Sequence, residues 1–139
     1  SQAAREFLAK EVGIDVEKIV MMDGCGLSRY NLMSPHQFVT FLVWMHTQFA
    51  YASEFIAALP ISGMDGTLLH RMENAEMKGK IRAKTGTMTG ISTISGYLTT
   101  KDGETLAFSI LQNGIVGKSK EYKAFIEDEI INYLVGFSR

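Results

Sequence analysis

Between residues 92 and 113 the chain carries its clearest β signal: two runs, STISGYLTT and ETLAFSILQN, rich in β-branched and aromatic residues. Lys101-Asp102-Gly103 joins them, and Asp-Gly is a favoured hairpin turn. Just before them, MKGKIRAKTG enters another strand at about residue 80. Three consecutive strands joined by tight turns form an antiparallel sheet.

Helical signals flank this block. AAREFLAKEVG reads as a short amphipathic helix stopped at Gly13. EKIVMMD then predicts a buried strand over residues 17–22, and DGCGLSRYN a glycine-rich loop. Ser34-Pro35 opens the next helix, with serine as N-cap and proline at the first helical position. Phe38, Phe41, Leu42, Met45 and Phe49 repeat at helical spacing, and Val39, Val43 and Trp44 widen that face, which predicts burial on most sides. SEFIAALP is a second short helix ended by Pro60, and ISGMDGTLLHRM a loop leading into another. Residues 120–135 predict a closing amphipathic helix, with Tyr122, Ile126, Ile130 and Tyr133 near one face and Glu127, Asp128 and Glu129 away from it. Helices, then strands, then a helix give an α+β fold rather than alternating βαβ units.

The 139 residues fit one domain or part of one. With 46% hydrophobic and 21% charged residues, the composition excludes a disordered tail or a coiled coil. A formal charge of −1 gives no electrostatic case for nucleic acid. Cys25 is the only cysteine, so no internal disulfide and no Cys/His metal spacing exist; His36, His46 and His70 are scattered, and no metal or organic cofactor is suggested. No apolar run is long enough to span a bilayer, and no signal-peptide pattern opens the chain. The opening SQAAREFLAKEVG reads as the middle of a structure rather than a native start.

Candidate chemistry centres on RAKTGTMTG, residues 82–90. Lys84 would supply positive charge to a substrate carboxylate, the Thr85 hydroxyl would hydrogen-bond it, and Gly86 would let a substrate backbone lie along the strand. The backbone N–H of Thr87 could point at a developing oxyanion. Taken alone, three such residues also suit an ordinary solvated strand end. No serine has a lysine three residues later or an asparagine two residues later, and no G-x-S-x-G elbow occurs. GIVGKS, residues 114–119, lacks the first glycine of a phosphate-binding loop, since Gln112 stands there. Ser28, Cys25 and His70 have no partner in sequence that would make them nucleophile or base, so each defaults to a structural role.

Three blocks in order, DGCGLSRYNLMSP, LPISGMDGTLLHRM and GKIRAKTGTMTGISTISGYLTTKDGETLAFSILQN, resemble the C-terminal part of the penicillin-binding D-alanyl-D-alanine carboxypeptidases, nearest the low-molecular-mass class C type that also acts as an endopeptidase. The resemblance runs from about Gly13 to Arg139. It implies a penicillin-binding/β-lactamase-like transpeptidase fold, a five-stranded antiparallel sheet with helices on both faces, of which this chain supplies the strands at about 80–113 and a covering C-terminal helix. The family's chemistry needs S-x-x-K, S-x-N and K-T-G. Only the third is here, as Lys84-Thr85-Gly86, so the resemblance makes residues 1–139 the C-terminal portion of the domain, without its nucleophile-bearing portion. Cys25 stands where the family commonly has serine.

The implied activity is serine-type D-Ala-D-Ala carboxypeptidase/endopeptidase action in peptidoglycan maturation. Lys84 and the Thr87 N–H would be catalytic groups, and Lys84, Thr85 and Gly86 the substrate-binding ones; the isolated chain is expected to be inactive. Implied partners are a stem peptide ending in D-Ala-D-Ala, β-lactam antibiotics and an upstream fragment of the same protein, in a periplasmic or extracytoplasmic location. Two alternatives remain open at this point: a non-catalytic truncated relative that binds cell-wall peptides or a partner protein, and a β-lactamase or esterase of the same fold. The strand near 105–112 should also present an unpaired edge.

Overall fold

A computed structural model describes residues 2–117 and 119–139. Its centre is a three-stranded antiparallel sheet in chain order: β1 (Ile81–Met88), β2 (Ile91–Thr99) and β3 (Thr105–Asn113). Thr89-Gly90 makes a two-residue turn between β1 and β2, with Gly90 at φ +74°. Residues 100–104 join β2 to β3, held by the Thr100 N–H on Glu104 O (2.8 Å) and the Glu104 N–H on Thr100 Oγ1 (3.0 Å). The β-rich runs and the Asp-Gly turn thus form as the sequence predicts. Gly96 sits where the strands approach closest: a Cβ there would lie 2.1 Å from Arg82 O and 2.6 Å from Ala83 Cα.

Side chains alternate across the sheet. One face carries Ile81, Ala83, Ile94, Leu98 and Phe108, which pack with Leu68, Met72, Met77, Ile131 and Val135 into the main core. The C-terminal helical segment covers this face as α4 (Ser119–Tyr122), a π-helical turn (Lys123–Glu127) and α5 (Asp128–Val135). The other face meets α2 (Pro35–Thr47), where Tyr97 donates its hydroxyl to Leu42 O (2.6 Å). Ser34 caps α2 and forms a capping box with Gln37. The remaining helices are α1 (Gln2–Lys10) and α3 (Ala52–Ala57). A second, smaller core of Leu8, Val12, Ile14 and Ile19 lies under α1.

Three expectations are corrected. Residues 17–22 form no strand: Asp15 caps a 3₁₀ turn at Val16–Lys18, and only Val20 pairs, with Leu32, in an isolated bridge. The apolar run there serves the small core through Ile19 instead. Helix α2 is not buried on most sides, since only Gln37 and Leu42 are buried and Val43 is exposed. Finally, the C-terminal segment turns Glu129 to solvent but not Glu127. Glu127 is 0% exposed, whereas Tyr133 is 78% exposed and Ile130 is also exposed. A π-helical turn inserts an extra residue and rotates everything after it, so one 3.6-residue period cannot be carried across Lys123–Glu127. From Glu127 onward the buried positions, Ile131 and Val135, follow helical spacing again.

Among the described residues no helix is long and apolar enough to cross a membrane.

Candidate active site

β1 presents Lys84-Thr85-Gly86 on an open edge. At its start that edge is paired: the Ala83 N–H donates to Pro60 O (3.0 Å) and Ile81 O accepts from the Ser62 N–H (3.0 Å). Lys80 O faces the other way, accepting from the Thr99 N–H (3.0 Å). Backbone groups alternate along a strand, so those of Thr85 and Thr87 share the outer edge with Ile81 and Ala83. Past Ala83 no described backbone group pairs with that edge.

The side chains of Lys84 and Thr85 leave opposite faces of the sheet. The lysine nevertheless reaches the edge, because its Nζ donates to Thr85 O (2.7 Å). It makes no ion pair among the described residues. The Thr85 hydroxyl donates to Thr67 Oγ1 (2.9 Å). Thr67 stands in the 3₁₀ turn Gly66–Leu68, where Gly66 at φ +51° passes against the Pro60 ring and Asp65 Oδ1 accepts from the Ile61 N–H (2.6 Å). Gly86 has a reason inside the sheet as well: a Cβ would sit 2.5 Å from Thr93 Oγ1.

Beyond the triplet, Thr87 Oγ1 accepts from Lys123 Nζ (2.6 Å). Thr67 and Lys123 were not assignable from sequence. The DGTL stretch marks a turn but not its destination, and Lys123 lies 36 residues from Thr87.

The glycine-rich loop adjoins the same end of the sheet. Arg29 donates to Thr89 O in the β1–β2 turn. Asp23 holds the loop's shape, with Oδ1 accepting from the Gly26 N–H (2.8 Å) and Asn31 Nδ2 (3.0 Å), and Oδ2 from the Ser28 N–H (2.6 Å). These bonds, the Asn31 amide first, hold the Asp23 carboxyl below the usual carboxylate range. The Ser28 hydroxyl accepts from the Tyr30 N–H (3.2 Å), and exposed Cys25 bonds to Asp23. His70 is exposed and 3.9 Å from Glu73. Cys25 and His70 thus each lie beside a carboxylate, and Ser28 beside the Tyr30 N–H. In GIVGKS, Gly114 and Gly117 have positive φ, and Lys118 lies outside the described residues.

The edge therefore offers an ammonium, a hydroxyl and an outward backbone N–H, a set able to hold a carboxylate and a developing oxyanion.

Known proteins resemble this chain in sequence and fold. Residues 1–133 match the D-Ala-D-Ala carboxypeptidase 3 (S13) family. The chain is 40% identical over 111 residues to a D-alanyl-D-alanine carboxypeptidase of Actinomadura sp. (strain R39), covering 76% of this chain and 20% of that one. It is 29% identical over 142 residues to a penicillin-sensitive carboxypeptidase A of Dictyostelium discoideum, covering 98% and 27%. Its fold matches the crystal structure of penicillin binding protein 4 (dacB) from Haemophilus influenzae with a TM-score of 0.86 and 27% identity, covering 98% of this chain and 31% of that one; the H. influenzae protein has also been solved complexed with a β-lactam. The chain thus spans about a fifth to a third of the length of these relatives. It belongs to the D-Ala-D-Ala carboxypeptidase 3 (S13) family.

Proposed function

We propose that this chain supplies the substrate-binding strand of a serine-type D-Ala-D-Ala carboxypeptidase/endopeptidase, and that an S-x-x-K serine from an upstream segment supplies the nucleophile. The observation that carries the reading is the unpaired outer edge of β1, where the Lys84 ammonium sits on Thr85 O beside the outward-directed Thr87 backbone. A stem peptide would lie along this edge as an added strand. Lys84 and Thr85 would hold its terminal carboxylate, a charge-assisted contact.

The upstream serine oxygen would then bond to the penultimate carbonyl carbon. The oxyanion would rest between the serine's own N–H and that of Thr87. Collapse would break the C–N bond and release D-alanine with a proton on its amine. Water would cleave the ester and restore the serine. A β-lactam, with its own carboxylate and strained carbonyl, would acylate the same serine. Such substrates place the work in the periplasm or another extracytoplasmic space.

The test uses the longer polypeptide carrying S-x-x-K and S-x-N ahead of this chain. Replacing both Lys84→Ala and Thr85→Ala should abolish release of D-alanine, and retention of activity would refute the reading.

The second reading is a module that binds cell-wall peptides without cleaving them. A reading frame that does not continue upstream into S-x-x-K and S-x-N would favour this alternative.

A further inference from the structure

Three residues form one row across the sheet: Thr87 on β1 is the register partner of Ser92 on β2, which is the partner of Gln112 on β3. The π-helical turn Lys123–Glu127 lies over this row and grips both ends. At one end Glu127, 0% exposed, accepts from Ser92 Oγ (2.6 Å) and Gln112 Nε2 (3.0 Å) through Oε1, and from Arg71 Nη2 (2.9 Å) through Oε2. Arg71 Nη2 also donates to Asp128. At the other end Lys123 Nζ donates to Thr87 Oγ1 (2.6 Å). Among the described residues Lys123 makes no ion pair, and its ammonium donates to that hydroxyl. Single π-turns within helices are frequent where a side chain must be aimed.

Thr87 needs such a hold. It stands on the unpaired stretch of edge, one residue before the end of β1, and is exposed. A threonine has a stiff χ1, coupled to its own φ and ψ. Holding Oγ1 therefore narrows the backbone conformations open to Thr87, and with them the directions of its N–H. We propose that Lys123, anchored through Glu127, is a positioning residue that clamps the Thr87 side chain and so aims the Thr87 N–H at the oxyanion. The proposal rests on the function proposed above. A π-turn thereby converts a buried carboxylate network into catalytic geometry on the edge strand.

Two experiments test it. In ¹⁵N–¹H spectra of the 139-residue chain, Lys123→Met should shift and broaden the Thr87 amide, and Lys123→Arg should restore it; an unmoved Thr87 signal overturns the proposal. In the longer polypeptide, Lys123→Met and Thr87→Val should each lower kcat for a D-Ala-D-Ala peptide about tenfold at unchanged KM and melting temperature. The double variant should be no worse than either single one, because both remove the same contact. Arginine at position 123 should recover most of the rate. Thr87→Val keeps the N–H and serves if Lys123→Met does not fold. Unchanged kcat, additive losses, or a loss confined to KM each overturn the proposal. Lys84→Ala is the control: if it too leaves kcat/KM intact, the proposed function itself fails, whereas activity lost with Lys84→Ala and kept with Lys123→Met refutes the clamp alone.

Discussion

The two faces of the sheet are built from the same three strands and differ in almost everything else. Toward α5 the face is apolar, with Ile81, Ala83, Ile94, Leu98 and Phe108 packed against Ile131 and Val135. Glu127, a carboxylate buried there, is held by Ser92, Gln112 and Arg71. Toward α2 the face is polar: Ser95 and Ser109 share a hydrogen bond (2.8 Å), Tyr97 bonds the helix backbone, and Arg82 and Lys84 project between strand and solvent. Stability is concentrated on the first face, which leaves the second face and the β1 edge free for polar side chains. The strand that carries Lys84 and the open backbone edge gains its rigidity from behind.

Breaking the apolar side should therefore cost most. Glu127→Ala would take their carboxylate acceptor from the buried Ser92 hydroxyl and the half-buried Gln112 amide and leave Arg71 with Asp128 alone, at about 3 kcal/mol of unfolding free energy. Urea denaturation checks this, and a loss under about 1 kcal/mol would contradict the network's role. Gly96→Ala comes next. Its Cβ would need space now held by Arg82 O and Ala83 Cα, so about 1–3 kcal/mol should be lost, read by the same denaturation curves.

The polar face should be more tolerant. Ser95→Ala should cost no more than about 1.5 kcal/mol, since Ser109 keeps access to other partners at a half-buried position.

Tyr97 sharpens the comparison through pH. Burial pushes its phenol from 10.0 up to about 12. The unfolded chain thus loses this proton first as pH rises, so the folded state holds more protons between pH 10 and about 12 and stability falls across that window. The loss should be smaller in Tyr97→Phe, and absorbance at 295 nm should register the late ionisation in the native protein.

Local signals made the sheet legible. β-branched runs, an Asp-Gly turn and the Ser34-Pro35 cap each act within a few residues, and the sheet and α2 form where they predict. The Lys84-Thr85-Gly86 strand was readable for the same reason. What could not be read depends on partners distant in sequence. The apolar stretch at Ile19–Met22 carries strand-forming residues but has only one bridging partner, Leu32 for Val20. Glu127 looked like a solvated acid because its hydroxyl, amide and guanidinium partners lie 35, 15 and 56 residues away. The π-turn hid the helix's true face by breaking its period, and with it Lys123's route to Thr87. Thr67 reaches Thr85 only through the fold of the Pro60–Leu68 loop.

The central claim is that the open edge of β1 binds the substrate while the nucleophile lies upstream. Its most direct test is intact mass and peptide mapping of the longer polypeptide after timed exposure to penicillin, beside the Lys84→Ala/Thr85→Ala variant. The account predicts one adduct, on a serine outside residues 1–139, forming at least roughly a hundredfold more slowly in the variant. An adduct within residues 1–139, or an unchanged rate in the variant, would contradict it.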